Sequence, residues 1–173
     1  MIVSKTHIWA SLNELRDFLG ATSRSLLIGI GAQSSKKFES FVVEYKGKQV
    51  CIGIQSSDFG IPSQVAFITG APRILVGHDC EIFIIDVENL ALVAQYELDG
   101  PFYKFITDEM DHTIFAVHEL GVWRIDPLIG RQWIFDTKDI LSECVLAQRL
   151  LKITIADASE PIILDPKTGQ QIV

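Results

Sequence analysis

The apolar positions of the chain follow one period near the amino terminus and a different period over the rest. Between Trp9 and Leu19 large apolar residues recur at steps of three and four, which predicts an amphipathic helix over 7–19. We expect Thr6 to cap the start of this helix and Gly20 to supply the left-handed residue that ends it. The remaining apolar runs are short, and Gly, Asp, Asn or Pro separate them, as is typical of antiparallel strands.

These short runs predict roughly fifteen strands, which together account for most of 25–173. The runs are rich in Ile, Val, Phe and Tyr, the residues that suit a pleated and half-buried surface. The strands are expected near 25–31, 40–46, 48–54, 64–69, 73–78, 81–87, 91–98, 102–107, 112–118, 121–126, 131–136, 143–148, 150–156, 160–165 and 169–173.

The predicted strands belong to an internal repeat of about 40 residues. The segment 73–86 aligns with 113–126, forty residues further along the chain. A third copy follows at 151–165, and a fainter copy lies upstream at 41–50. Four copies of this length account for nearly the whole chain.

In each clear copy the second apolar run ends in an aspartate, at Asp86, Asp126 and Asp165. An aspartate side chain at such a position can accept hydrogen bonds from backbone amides two residues on and close a tight connection between strands. Each copy is therefore expected to be a small meander. Strands that are apolar at consecutive positions, such as 82–85, need cover on both faces, so we expect the copies to pack side by side.

These residues resemble the blades of β-propeller proteins of the WD-repeat and quinoprotein-like kinds. The segment 76–87 is similar to the second and third strands of a WD-repeat blade, although Ile85-Asp86 stands where that family has Trp-Asp. The segment 165–170 resembles the aspartate-to-glycine turn between strands of quinoprotein-like blades. The resemblance extends over 25–173.

The resemblance implies an all-β fold, a propeller-like array of about four antiparallel blade units over 25–173, with one short helix at 7–19. We expect 1–173 to form a single domain. A β-sandwich or a β-barrel is the alternative fold. A closed ring, an open arc and a ring completed by a second chain all stay open. We expect the three tryptophans to pack in the core or between the repeats: Trp9, Trp123 and Trp133.

Composition narrows the classes of function. Hydrophobic residues make up 48% and charged residues 21% of the chain, which excludes a disordered tail. The formal net charge of −7 argues against a nucleic-acid binder, and no apolar run approaches the roughly 20 residues that span a bilayer. Three widely spaced cysteines and the lack of a secretory signal at the start favour a reducing compartment. We therefore predict a cytoplasmic protein that binds neither nucleic acid nor a membrane.

Polar residues recur at the turn between the second and third strands of each copy. His78-Asp79 and His118-Glu119 occupy equivalent positions, and Asp157 falls at the equivalent position of the third copy. The resemblance implies that this turn lies on the face that propellers use most for ligands, where imidazole and carboxylate groups could bind a metal or a polar ligand. The recurrence of the repeat itself explains the same pattern. Because no pair has local metal-ligand spacing, we predict no cofactor and no resident metal.

The longest polar insertion between strands is 33–38, and it carries a second candidate site. Its residues Ser35, Lys36 and Lys37 include a basic pair that we expect to be exposed and to contact a partner. The preceding Gly29–Ser34 segment begins like a dinucleotide-binding fingerprint, but it lacks the last glycine and a following helix, so we interpret it as a strand and a loop.

The function most consistent with these features is a non-catalytic protein-interaction module that presents the loops of its β array to another protein. Immunity, assembly and regulatory proteins are examples of that class. A metal- or small-ligand-binding protein, or an enzyme, that uses His78, His118 and Asp157 at a shared face is the alternative. A homodimer is a third hypothesis, in which a second copy of the chain completes the array.

Overall fold

The structure is a computed structural model that describes residues 1–29 and 35–172, and for residues 4–6 it describes the backbone alone. This part of the chain contains one helix and fifteen strands in four separate sheets. The helix is α1 (Leu12–Gly20), and it is too short to cross a membrane. The strands are β1 (Ile2–Trp9), β2 (Ser25–Gly29), β3 (Lys37–Tyr45), β4 (Lys48–Ser56), β5 (Gln64–Phe67), β6 (Arg73–His78), β7 (Glu81–Asp86), β8 (Ala91–Glu97), β9 (Phe102–Asp108), β10 (Thr113–His118), β11 (Gly121–Asp126), β12 (Gly130–Asp136), β13 (Leu141–Ala147), β14 (Leu150–Ile155) and β15 (Ile162–Leu164).

Each sheet is one copy of the repeat, and we number the sheets as units 1 to 4 along the chain. Unit 2 contains β5 to β8 and unit 3 contains β9 to β12, each in sequential order with antiparallel neighbours. Unit 4 contains β13 to β15. The predicted array of about four antiparallel units is confirmed, and the fifteenth predicted strand is reduced to an isolated bridge between Leu164 and Gln171.

Unit 1 departs from the meander that its faint copy of the repeat predicts. Its strand order is β1-β3-β4-β2, and β2 runs parallel to β4. The faint copy, 41–50, falls on the hairpin between β3 and β4 at the middle of this sheet. Helix α1 connects β1 at one edge to β2 at the other edge, so it carries the chain across the whole sheet.

The helix begins later than the sequence predicts. Residues 7–9 belong to β1, where Trp9 pairs with Phe38 of β3, so Thr6 lies inside a strand and is no helix cap. Ser11 is the cap, because its side chain accepts a hydrogen bond from the amide of Glu14 at 3.3 Å. Gly20 is the last helical residue, without a left-handed conformation. The helical spacing of apolar residues does not show that residues 7–9 pair with β3, so it extends the predicted helix too far toward the amino terminus.

Both faces of the central strands of units 2 and 3 are buried, as the consecutive apolar positions predict, whereas β14 of unit 4 has exposed residues on one face. In β7, Phe83 and Ile85 pack against unit 1, whereas Ile82 and Ile84 pack against unit 3. Strand β10 repeats this division one unit later, with alternate residues in the clusters on its two sides. Each of these residues is at most 2% exposed, so the interfaces between the units form the hydrophobic core.

The three repeat aspartates close equivalent turns. The Oδ1 atoms of Asp86, Asp126 and Asp165 each accept a hydrogen bond from the backbone amide two residues on, at 2.7 to 2.9 Å. The three residues therefore occupy copies of one corner, as the repeat predicts.

An arginine of the preceding unit binds each of these turns. Arg24 donates to the carbonyl oxygens of Val87 and Glu88 at 2.9 and 2.7 Å. Arg73 donates in the same way to the turn after Asp126, at the carbonyl oxygens of residues 127 and 128. Arg124 donates to the carbonyl oxygen of residue 167 at 2.8 Å. These charged donors fix the position of each unit against the next.

Aromatic side chains of one unit also rest on glycines of the next. Tyr96 of unit 2 lies against Gly130, and Trp133 of unit 3 lies against Gly169. The Trp133 Nε1 atom donates to the carbonyl oxygen of Pro166 at 3.2 Å. The expected packing role of the tryptophans is confirmed, because Trp9, Trp123 and Trp133 each pack in a different hydrophobic cluster.

The array forms an open arc, because helix α1 covers the face of unit 1 that a preceding unit would cover. Leu15 and Leu19 pack on Cys51, and a Cβ atom at Gly53 would lie 2.6 Å from Leu19. The absence of a side chain at Gly53 thus allows the close approach of the helix. Within 1–29 and 35–172, every hydrophobic cluster joins neighbours along the chain, and none joins unit 4 to unit 1.

Replacing Gly169 by alanine should weaken the contact between units 3 and 4. Its φ of +71° disfavours a side chain, and a Cβ atom would lie 2.8 Å from the Trp133 ring. We expect the free energy of unfolding to fall by about 2–4 kcal/mol, measured by urea denaturation with tryptophan fluorescence.

Gly47→Ala is the matched control, because Gly47 has a φ of +72° with open space around it. It carries the conformational cost alone, about 1–2 kcal/mol. Equal losses in the free energy of unfolding in the two variants would show that the packing of Trp133 does not depend on the absence of a side chain at position 169.

Truncating Leu15 should loosen the cap on unit 1. Leu15 is fully buried, so we expect Leu15→Ala to cost about 2–5 kcal/mol and to increase the rate at which a thiol reagent labels Cys51. Leu92→Ala, at a side chain that is 45% exposed, should stay within about 0.5 kcal/mol of wild type. An unchanged labelling rate of Cys51 in Leu15→Ala would contradict the capping role of the helix.

Candidate functional site

One side of the array, which we name the upper face, carries the turns between the second and third strands of units 2 to 4 together with the connections between units. Its segments are 57–63, 78–81, 97–101, 118–121, 136–140 and 156–161. Backbone hydrogen bonds hold these segments together, since Phe102 donates to the carbonyl oxygen of Asp79 at 2.6 Å and Leu141 donates to that of Glu119 at 2.8 Å. The candidate residues of these turns therefore lie on one face.

Both candidate histidines are buried inside their own units. His78 is 1% exposed and stacks on Phe83, with ring centroids 5.2 Å apart. His118 is fully buried and lies edge-on to Trp123 at 5.9 Å. The ring nitrogens of the two histidines have no hydrogen-bond partner. Burial of this kind makes them packing residues, which their position beside a polar turn did not predict.

The candidate carboxylates differ in their environments. The side chain of Asp79 is 9% exposed and accepts a hydrogen bond from the amide of Ser57. Burial by itself raises the pKa of Asp79, but nearby His78 and the amide of Ser57 outweigh burial, so the pKa lies below its usual value. Glu119 is half-buried, and Asp157 is exposed with a φ of +64°.

Asp157 lines a shallow opening on unit 4. The opening has a volume of about 430 Å³, and Asp139, Ile140 and the backbone beside Asp157 form its walls. Ile140 is 49% exposed there. Two carboxylates and an exposed apolar side chain thus lie together at this end of the upper face.

A second opening on the upper face lies where unit 1 meets unit 2, and sequence reasoning missed most of its residues. Its volume is about 230 Å³. Phe59 lies in this opening with 55% of its surface exposed. The other lining residues are Ser57, Asp79, Cys80, Glu81 and Glu97. The apolar Phe59 between the turn residues Gly60 and Asp58 was the available sequence signal.

Cys80 reports the electrostatic character of this opening. Burial raises the pKa of its thiol, and the negative charges of nearby carboxylates raise it further. The contributing carboxylates are those of Asp79, Glu81, Glu119 and Glu97. The environment is therefore strongly negative, and the thiol stays protonated.

The structure places the predicted basic loop beside the upper face but does not expose both of its lysines. Lys36 is exposed. The Lys37 side chain is only 16% exposed, and its Nζ atom lies 3.4 Å from Glu39 and 3.9 Å from Asp58. Ser35 lies 3.5 Å from the side-chain oxygen of Gln55. The prediction that both lysines are exposed is wrong for Lys37, because β3 places its side chain next to carboxylates. Residues 33 and 34 of the same loop, and most of the glycine motif at 29–34, lie outside the described residues.

The site does not contain a metal-ligand set in the described part of the chain. Among residues 1–29 and 35–172, no group of three or more His, Cys, Asp or Glu side chains is placed to hold a metal ion. The two imidazoles and Asp157 belong to three different units, and the imidazoles are buried. The arrangement presents carboxylates and isolated apolar side chains to its surroundings.

Acid should destabilise the fold through His118. Burial lowers the pKa of His118, and the more distant Asp136 and Asp99 oppose this effect. Because the unfolded state binds a proton more readily, stability is retained above the unfolded pKa of about 6.5 and falls as the pH drops below it, by up to about 1.4 kcal/mol per pH unit. His118→Phe should remove this dependence in urea denaturation from pH 7.5 to 5, whereas the exposed His112→Asn should retain it; equal slopes in both variants would contradict the assignment.

Comparison with known proteins identifies the fold. No protein-family model matches the chain, and no curated protein matches it in sequence. Among solved structures, the chain is similar to the dihydro-heme d1 dehydrogenase NirN, with a TM-score of 0.57 and 14% identity over 79% of this chain and 32% of that chain. It is also similar to Sqt1 of Saccharomyces cerevisiae, with a TM-score of 0.55 and 10% identity over 81% of this chain and 43% of that chain.

A third similar structure is the β-propeller domain of Cps50 (Swd1) from Myceliophteria thermophila, with a TM-score of 0.52 and 10% identity over 79% of this chain and 51% of that chain. The chain thus spans between a third and a half of the lengths of these structures. At such low identity the likeness concerns the fold. The chain has a β-propeller-like fold, in which four blade units form an open arc with a helix packed on the first.

Proposed function

We propose that the chain is a non-catalytic protein-interaction module whose upper face binds a positively charged region of another protein. The observation that carries this proposal is the charge of that face. Its six segments contain ten carboxylates and, apart from the two buried histidines, one basic side chain, that of Lys138. The carboxylates belong to Asp58, Asp79, Glu81, Glu97, Asp99, Glu119, Asp136, Asp139, Asp157 and Glu160.

The carboxylates of the opposite face are engaged inside the protein, whereas several on the upper face are not. Asp86, Asp126 and Asp165 accept backbone hydrogen bonds, and Asp111 pairs with Lys167. Within the ranges that the structure describes, the side chains of seven upper-face carboxylates have neither a hydrogen bond nor an ion pair. They are Glu97, Asp99, Glu119, Asp136, Asp139, Asp157 and Glu160. These charges are available to a partner.

The shape and rigidity of the upper face also suit recognition. The backbone bonds between neighbouring turns fix the positions of the carboxylates, which reduces the entropy lost on binding. Phe59 and Ile140 are exposed among these charges and offer apolar area at two separate points. An interface needs both features, since charge guides the encounter and buried apolar anchors hold the complex.

The alternative of a metal- or small-ligand-binding protein or enzyme has less support. It needs His78, His118 and Asp157 to share one site, but the two imidazoles are buried in separate units and Asp157 is exposed on a third. Similar propeller structures include both a protein described as a dehydrogenase and others with no activity in their descriptions. The fold alone therefore does not distinguish an enzyme from a binding module, and the distinction depends on the residues of the site. An immunity, assembly or regulatory role fits a module of the proposed kind.

Neutralising three upper-face carboxylates should abolish capture of the partner. We expect the wild-type chain to retain one stoichiometric protein from a lysate of its source organism at low salt, and to lose it as the salt concentration rises. The triple variant Glu97→Gln, Glu119→Gln, Asp157→Asn should retain at least about tenfold less of that protein, measured by quantitative mass spectrometry.

The matched control changes the same number and kind of charges elsewhere. Glu44→Gln, Glu143→Gln and Asp17→Asn alter exposed carboxylates outside the upper face and should retain the partner as wild type does. Equal retention by the two triple variants, or no retained protein from the wild-type chain at any salt concentration, would contradict the proposed function.

A further inference from the structure

The opening between units 1 and 2 combines an aromatic ring with several carboxylates. Its wall combines an exposed aromatic ring, Phe59, with the carboxylates of Asp79, Glu81 and Glu97. Ser57 and Cys80 complete the lining. With a volume of about 230 Å³, it can admit one side chain of a partner but no extended segment.

Among the residues that the structure describes, no lysine or arginine forms an ion pair with Asp79, Glu81 or Glu97 in this opening. The Oε2 atom of Glu81 is buried without a hydrogen-bond partner, while its other oxygen accepts from Gln95 at 2.7 Å. His78, the nearest basic group to Asp79, is 1% exposed, and its Nδ1 atom lies 3.8 Å from the Asp79 carboxylate. That separation exceeds a hydrogen bond but is within ion-pair range, so a protonated His78 would offset part of the charge of Asp79 but would leave Glu81 and Glu97 without an ion pair. A buried charged oxygen without a partner is costly, and a cation in the opening would offset that cost.

The ring of Phe59 specifies the kind of cation. Aromatic faces attract cations, and a planar guanidinium group combines stacking on a ring with paired hydrogen bonds to carboxylates. An ammonium group is a compact and strongly hydrated charge without this planar fit. Carboxylates beside an exposed ring therefore favour arginine over lysine.

We propose that this opening is a binding site for one arginine side chain of the partner protein, with its guanidinium group on Phe59 and beside the carboxylates of Glu81 and Glu97. The site rests on the proposed function, because it assigns an anchor within the interface of that function. Asp79 adds its charge to the site, and the amide of Ser57 holds its side chain in place.

Cys80 provides a direct readout of occupancy, because its half-buried thiol lines the opening and the two other cysteines are buried. A neutral reagent, methyl methanethiosulfonate, labels the wild-type protein, and mass spectrometry follows the modification of Cys80. N-acetyl-arginine amide is the probe, and N-acetyl-citrulline amide is its neutral control of nearly the same shape. We expect the arginine compound to slow labelling of Cys80 at least about threefold at saturation, and the citrulline compound to leave the rate unchanged.

Two variants test the parts of the site. Phe59→Leu keeps an apolar side chain but removes the ring, and Glu97→Gln removes one charge from an exposed position. Each should raise the arginine concentration needed for half-maximal protection, by about twofold to fivefold. Glu44→Gln, an equal change in charge on an exposed residue of β3, should leave that concentration unchanged.

The proposal is overturned if the arginine compound does not protect Cys80, if citrulline protects equally, or if N-acetyl-lysine amide protects as strongly as arginine. Its failure can be distinguished from failure of the proposed function. Capture of a partner that depends on the upper-face carboxylates, without protection of Cys80 by arginine, would refute the arginine site alone. Protection without any captured partner would refute the interaction module and leave the arginine site in place.

Discussion

The structure depends on one constraint: the central strands β7 and β10 of units 2 and 3 are apolar on both faces, so each of these units needs a neighbour on either side. Ile82 and Ile84 of β7 need unit 3, and Phe83 and Ile85 need unit 1. Stacking of like units satisfies this need along the chain. At the first unit the same need is satisfied by a helix, whose Leu15 and Leu19 cover what would otherwise be an open sheet. The helix therefore takes the place of a further unit beside unit 1, and the array is an arc and not a closed ring.

The repeat made most of this fold predictable from the sequence. The two strands of 73–78 and 121–126 lie where the alternation of apolar runs and turns predicts them, and the repeat aspartates form the expected turns. The information is local, since a turn aspartate acts on amides two residues away. Helix α1 was predicted as an element but not in its bounds, because residues 7–9 suit a strand only when β3 lies beside them. The parallel pairing of β2 with β4 is a tertiary contact for which no local signal exists.

The candidate site was predictable only in part, for related reasons. The turns that carry His78, His118 and Asp157 were correctly assigned to one kind of position, but the burial of the two imidazoles follows from the rings that cover them, Phe83 and Trp123. A sequence shows a histidine at a turn and does not show what packs over it. Phe59 was not predicted as a site residue because the sequence does not show that it is exposed. Its exposure is a property of the connection between units 1 and 2, whereas in the sequence it is one aromatic residue among many.

Stacking also explains why function should lie at the turns. Because both faces of the central strands of units 2 and 3 are buried, these strands have little polar surface to offer, and polar residues that could bind a partner are concentrated in the turns at the two ends of the strands. At the turns on the face opposite to the upper face, Arg24, Arg73 and Arg124 donate hydrogen bonds to backbone carbonyls of the next unit. The aspartates of these turns accept hydrogen bonds from backbone amides. Charges used in this way hold the array together. Most of the upper-face carboxylates have no such partner within the protein, and an uncompensated charge on a rigid support is what electrostatic recognition of a basic partner requires.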